Sequence, residues 1–174
     1  MTPANAITLT RVLATPFLVA LILSEEAGWG LVGFWTVLAI SDVFDGWLAR
    51  RHGATRSGAF LDPLADKIVV LAAMAALVSV GRLWWLPVVV MGLREVAISA
   101  YRSYVGRRGV SVPARPLAKA KTWAQAITVF VALVPAEGRG FDVALAALVW
   151  VAVALTLVTG SQYLWDGRRV IHEL

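Results

Sequence analysis

The sequence contains no cysteine and only two histidines, and 16% of its 174 residues are charged. Without cysteine there is no disulfide, no thiol nucleophile and no zinc–thiolate centre. His52 and His172 stand far apart in the chain, which does not make a histidine-based phosphatase site. The shortage of charge excludes more. A soluble domain has about 25% charged and 45–50% apolar residues, because its surface must face water. Here 59% of the residues are hydrophobic and the mean hydropathy is +0.75, which points to an integral membrane protein. Internal repeats, low-complexity tracts and linkers are also lacking, so residues 1–174 read as one domain.

The abundant residues are gathered into six apolar stretches, near 7–23, 31–49, 60–80, 83–105, 117–135 and 143–163. A spanning helix needs about 20 residues, so each stretch crosses once and only short loops remain. The first stretch could pass for a secretory signal, but Ser24-Glu25-Glu26-Ala27-Gly28 offers no small-residue cleavage pattern, so it reads as a retained helix. Cations fall on alternate loops. Arg50, Arg51 and Arg56 follow the second stretch, Arg102, Arg107, Arg108, Arg115, Lys119 and Lys121 surround the link from the fourth to the fifth, and Arg168 and Arg169 lie in the tail. By the positive-inside rule both termini are cytoplasmic, which agrees with an even number of spans. The expected fold is an all-α membrane protein with six transmembrane helices. Trp84, Trp85 and Trp165 suit interfacial belts. The net charge of +5 is then explained by topology and needs no nucleic acid.

Four of the 11 acidic residues contradict this apolar background. Asp42 and Asp45 lie in the second stretch, Asp62 and Asp66 in the third. A charge near the bilayer centre costs at least about 2.5–3.5 kcal/mol on insertion scales, so four of them require compensation. Counted at about 1.5 Å per residue, Asp42 and Asp45 fall roughly 12 and 7 Å from Arg50, and Asp66 and Asp62 roughly 12 and 6 Å from Gly58. Residues three or four apart share a helix face, so both pairs can converge on one cavity near the cytoplasmic surface. Filled with one or two divalent cations, such a cavity becomes a hard, oxygen-lined site suited to phosphate chemistry. Gly46 inside the second helix, Ala49 one turn on and Gly58 at the start of the third form a small-residue surface against which a nucleotide or another helix can lie.

Read together, Asp42-Val-Phe-Asp45-Gly46-Trp-Leu-Ala49-Arg50 and Gly58-Ala-Phe-Leu-Asp62-Pro-Leu-Ala-Asp66 resemble the signature of the CDP-alcohol phosphotransferases. The resemblance implies transfer of a phosphatidyl or related group from a CDP-linked donor to an acceptor hydroxyl, with release of CMP. By the same implication Asp42, Asp45 and Asp62 ligate metal, magnesium or manganese as two ions, while Asp66 completes the second metal site and acts as general base. Gly46, Ala49, Arg50 and Gly58 would contact the CDP moiety. Asn5 and Thr8 are weaker candidates for the same contact, and Asn5 could instead cap the first helix. Direct attack and a covalent phosphatidyl–enzyme are both formally open with an aspartate at this position.

An acceptor bearing a phosphate needs cations beside the metal site. Arg94 lies roughly 18 Å in from Gly106 by helix rise, too deep for casual placement. The stretches Arg94-Glu95-Val-Ala-Ile-Ser-Ala-Tyr-Arg102, Lys119-Ala-Lys121-Thr122, Asn5-Ala-Ile-Thr8-Leu-Thr-Arg11 and Leu64-Ala-Asp66-Lys67 resemble the phosphatidylglycerophosphate synthase branch. That resemblance implies CDP-diacylglycerol as donor, sn-glycerol 3-phosphate as acceptor, and Arg94, Arg102, Lys119 and Lys121 as ligands of its phosphate. Pro113-Ala-Arg115-Pro116 departs from the branch, many members of which place a glycine beside the lysine corresponding to Lys119. Arg94 and Glu95 are adjacent and point about 100° apart around a helix, so they are not necessarily each other's partner. A CDP-dependent cardiolipin synthase and a phosphatidylinositol phosphate synthase are the competing enzyme readings. A cation- or proton-coupled transporter is the reading from another class, disfavoured because transporter sites sit near the midplane between repeats. The resemblance further implies a homodimer in the bacterial cytoplasmic membrane, in contact with membrane lipids and with its active site facing the cytoplasm.

Overall fold

The computed structural model describes the backbone of residues 3–24, 28–52, 58–107 and 116–172, and the side chains of residues 9–24, 28–41, 67–101, 103–105 and 117–165. Among the described residues there are six α-helices and no strand: α1 (Pro3–Leu23), α2 (Trp29–His52), α3 (Gly58–Ser79), α4 (Trp85–Arg107), α5 (Pro116–Leu133) and α6 (Arg139–His172). Each falls on one of the six apolar stretches. Their ends differ because hydrophobicity marks the part of a helix that avoids water, whereas backbone hydrogen bonding runs on until a breaker intervenes. Thus α2 continues past Ala49 to His52, and α6 extends beyond its apolar run at both ends. Proline opens α1 and α5, where its missing N–H is not needed. Asn5 is consequently the third residue of α1 and not its cap.

The end of α3 is set by Gly81, whose φ of 72° lies in the left-handed region. Arg82 N–H donates to the Leu77 carbonyl at 2.9 Å and Gly81 N–H to Val78 at 3.0 Å, the paired bonds of a Schellman motif. Only glycine takes this backbone conformation without a Cβ penalty.

The chain divides into two compact units, Met1–Trp84 with Val129–Glu137, and Trp85–Thr128 with Gly138–Leu174. In the first, α1 packs against both α2 and α3. Leu18 and Ile22 of α1, Val32, Trp35 and Leu38 of α2, and Val69, Ala73, Met74 and Leu77 of α3 are buried, at spacings of three and four residues that place them on one face of each helix. Phe17 and Phe34 meet edge to face, with ring centroids 5.6 Å apart. Arg82 donates to the Val134 carbonyl at 3.0 Å, just past the C-terminus of α5, where a cation complements the helix dipole.

In the second unit, α4 packs against α6. The buried stripe of α4 is Val88, Met91, Glu95, Ile98 and Val105; that of α6 is Leu145, Val149, Ala152, Val153, Thr156, Thr159 and Tyr163. The opposite faces are apolar too, with Leu93, Val96, Val151, Leu157 and Val158 exposed. A soluble helix puts polar residues there, whereas a lipid-facing helix does not. Residues Arg139–Trp165 of α6, 27 residues whose most apolar 18-residue stretch has a mean hydropathy of 2.4, are long and apolar enough to cross a bilayer; among the described residues it is the one helix that meets both criteria. Shorter apolar segments are Leu9–Leu23, Trp29–Ser41 and Lys67–Ser79.

Candidate functional site

The four aspartates sit on the two helices expected of them. Asp42 and Asp45 lie toward the C-terminus of α2, and Asp62 and Asp66 in the opening turns of α3. Because α2 continues to His52, Asp42 and Asp45 stand about 15 and 10 Å from its end, about 3 Å further in than a count from Arg50 gives. Their side chains lie outside the described residues, as do those of Gly46, Ala49, Arg50 and Gly58 on the same helices, Asn5 and Thr8 on α1, and Arg102 on α4. On chemistry alone the set fits a hard divalent cation: four carboxylates, with no thiolate anywhere in the chain.

The described part of α1 adds a buried charge to the first unit. Arg11 is 5% exposed, one turn before Thr15, whose hydroxyl donates to the Arg11 carbonyl at 2.8 Å. Arg11 is also the last residue of the Asn5–Arg11 motif.

A second polar constellation occupies the interior of the other unit. Arg94 sits near the middle of α4, with its side chain only 10% exposed. Its Nη1 donates to Glu95 Oε1 at 2.9 Å, so the two neighbours are partners after all. Their Cα–Cβ directions diverge as expected, but the arginine stem is long enough for its planar head to swing back. Lys121 of α5 is also buried, and its Nζ donates to the same Glu95 oxygen. Arg94 Nη2 donates to Thr159 Oγ1 on α6 at 2.7 Å, and the threonine hydroxyl donates in turn to the Leu155 carbonyl at 2.7 Å. One turn earlier, Gln125 Nε2 of α5 donates to Thr156 Oγ1 at 3.4 Å. Three helices therefore contribute to one buried network in which two cations share a single carboxylate.

Of the four cations read as acceptor ligands, the structure brings Arg94 and Lys121 together and leaves Lys119 exposed on α5. Thr159 and Gly160 were not singled out from sequence, and Glu95 was named only as a neighbour of Arg94. The signals existed: an acidic residue beside Arg94 between the apolar Leu93 and Val96, and a Thr156, Thr159, Gly160 series at helical spacing inside an apolar run.

The family model of CDP-alcohol phosphatidyltransferases matches residues 1–158. The chain is 38% identical over 175 residues to a probable phosphatidylglycerophosphate synthase of Mycobacterium tuberculosis (strain H37Rv), covering 97% of this chain and 82% of that one. It is 39% identical over 170 residues to the CDP-diacylglycerol–glycerol-3-phosphate 3-phosphatidyltransferase of Escherichia coli (strain K12), and 39% identical over 169 residues to the enzyme of the same name from Salmonella typhimurium. In both cases the match covers 93% of this chain and 92% of the relative.

Proposed function

The chain belongs to the CDP-alcohol phosphatidyltransferase family, and from that premise we propose that it transfers the phosphatidyl group of CDP-diacylglycerol to sn-glycerol 3-phosphate, giving phosphatidylglycerol phosphate and CMP. The observation that carries this reading is the near-complete coverage of two enzymes named for that reaction, at 39% identity, by a chain whose aspartate signature falls near the end of α2 and the start of α3.

Asp42, Asp45 and Asp62 are the residues that would hold divalent metal, with Asp66 completing a second site. Magnesium or manganese, as two ions, would supply there neutralisation of phosphate charge and polarisation of the phosphorus. Asp66 takes the proton of the acceptor hydroxyl as its oxygen bonds to the β-phosphorus of the donor, and the bond from that phosphorus to the CMP oxygen breaks. Gly46, Ala49, Arg50 and Gly58, with Asn5 and Thr8, receive the CDP moiety. Arg94, Arg102, Lys119 and Lys121 receive the acceptor phosphate. The buried Arg94–Glu95–Lys121 group supports this last assignment, because it gathers two of these cations in one place inside the protein, the chemistry that charge-assisted hydrogen bonds to a phosphate require.

The family is integral to the membrane, and the proposed arrangement is six spans with both termini and the aspartate ends in the cytoplasm. The cation distribution and the apolar exposed faces of α4 and α6 support it. A homodimer in the bacterial cytoplasmic membrane completes the reading.

The decisive assay measures CMP release from CDP-diacylglycerol by the purified full-length protein in detergent, with glycerol 3-phosphate, phosphatidylglycerol, inositol phosphate and serine in parallel. Release with glycerol 3-phosphate alone is expected. Release with phosphatidylglycerol instead would make the protein a cardiolipin synthase, and undiminished turnover in excess EDTA would remove the metal.

A further inference from the structure

Gly160 on α6 lies directly against Arg94. A Cβ built on Gly160 would stand 3.1 Å from Arg94 Nε, tighter than ordinary van der Waals contact, and 3.4 Å from its Cγ. Gly30, Gly33 and Gly140 would meet nothing within 4 Å, so the close approach is particular to this position among them. Arg94 Nε is buried without a hydrogen-bond acceptor among the described residues, so it is the bare helix surface, and not a polar contact, that receives this edge of the guanidinium. The other two nitrogens are fixed by Glu95 at 2.9 Å and Thr159 at 2.7 Å. Thr159 is itself 1% exposed and anchored to the α6 backbone, which leaves it no freedom to follow a displaced arginine.

We infer that Thr159 and Gly160 of α6 are positioning residues that set the place of Arg94 and, through it, the affinity for the acceptor phosphate. This rests on the reading of Arg94 as an acceptor ligand and adds to it the surface against which that ligand is aligned. An arginine held at two nitrogens cannot yield to a new methyl group without lengthening one bond or the other. Gly160→Ala therefore acts on geometry and not on helix stability, since alanine is the better helix former and reduces the entropy of the unfolded chain. Stability and acceptor affinity are expected to respond differently, which a merely structural glycine does not predict.

The test uses the full-length enzyme in detergent, with CMP release followed at varied glycerol 3-phosphate and CDP-diacylglycerol. Gly160→Ala and Thr159→Val are each expected to raise KM for glycerol 3-phosphate by about tenfold, the effect of one weakened charge-assisted hydrogen bond, with kcat and KM for CDP-diacylglycerol changed by less than about twofold. Thr159→Ser keeps the hydroxyl and is expected to restore the wild-type value. Arg94→Lys serves as the reference. If it leaves KM for glycerol 3-phosphate unchanged, the assignment of Arg94 fails and takes the inference with it. If it raises KM while Gly160→Ala and Thr159→Val do not, Arg94 binds the acceptor but α6 does not align it. Parallel losses in kcat, both KM values and the melting temperature would reduce the two residues to structural ones. Should Gly160→Ala fail to fold, the contrast between Thr159→Val and Thr159→Ser decides alone: equal KM values overturn the inference, and a KM raised only in the valine variant sustains it.

Discussion

The two units are built from helices of similar kind but bury different chemistry. In the unit of α1, α2 and α3, the described interior is a packed apolar face, Leu18, Ile22, Trp35, Met74 and Leu77 among it, with Arg11 and Thr15 as its polar members. In the unit of α4 and α6 with the first part of α5, the corresponding positions include Glu95, Lys121, Gln125, Thr128, Thr156 and Thr159. Within lipid there is little hydrophobic force to hold helices together, so packing and interhelical hydrogen bonds take over. The first unit relies on shape, and its interior can serve as a rigid scaffold for the aspartate-bearing ends of α2 and α3. The second relies on a charge network, and its interior is itself a candidate binding site. On the proposed function, donor chemistry and acceptor recognition fall to different units.

That division can be broken most forcefully at Asp66. Asp66→Asn should reduce CMP release by about two to four orders of magnitude with every acceptor, as expected for loss of a general base, while circular dichroism and detergent melting stay unchanged. Activity that survives in this variant would detach the chemistry from the first unit. Next in size is Glu95→Ala, which leaves Arg94 and Lys121 buried without their shared carboxylate; about 3–5 kcal/mol of stability should be lost, seen as unfolding at lower SDS fraction or temperature. A melting point equal to that of the wild type would mean that the network is not what holds the second unit together. In the first unit, Leu18→Ala should cost about 2 kcal/mol, the low end for a core truncation because lipid rather than water receives the unfolded face. CMP release by that variant should remain intact at permissive temperature. The smallest effect belongs to Phe17→Leu, which removes the edge-to-face contact with Phe34 and should lower stability by about 1 kcal/mol without altering either KM. The absence of cysteine sharpens all of these, since single cysteines introduced into the loops can report membrane sidedness against no background. Labelling of residue 137 from outside and of residue 56 from inside is expected.

Much of this was legible in the chain. The positions of all six helices follow from apolar runs bounded by charges, because a helix in lipid must be apolar on nearly every face and so advertises itself more plainly than an amphipathic one. The aspartate signature was legible for the complementary reason: carboxylates in such a helix have no neutral explanation. Helix ends were less so. Arg50, Arg51 and His52 look like loop, yet they continue α2, since charge marks exit from lipid and does not stop backbone hydrogen bonding. The partnership of Arg94 with Glu95 was hidden by helical geometry, which separates neighbours in direction but places no limit on where a long side chain returns.

By itself the sequence determined that the chain is helical, that four of its 11 acidic residues interrupt the apolar runs of α2 and α3, and which family it resembles, because these depend on residue type and spacing along one helix at a time. Only the tertiary structure decided that Lys121 and Arg94 share the carboxylate of Glu95, that Thr159 holds the arginine, and that Gly160 is bare because Arg94 lies against it. Those relations join residues up to 66 positions apart on different helices, and no periodicity within a helix records which of its faces meets another.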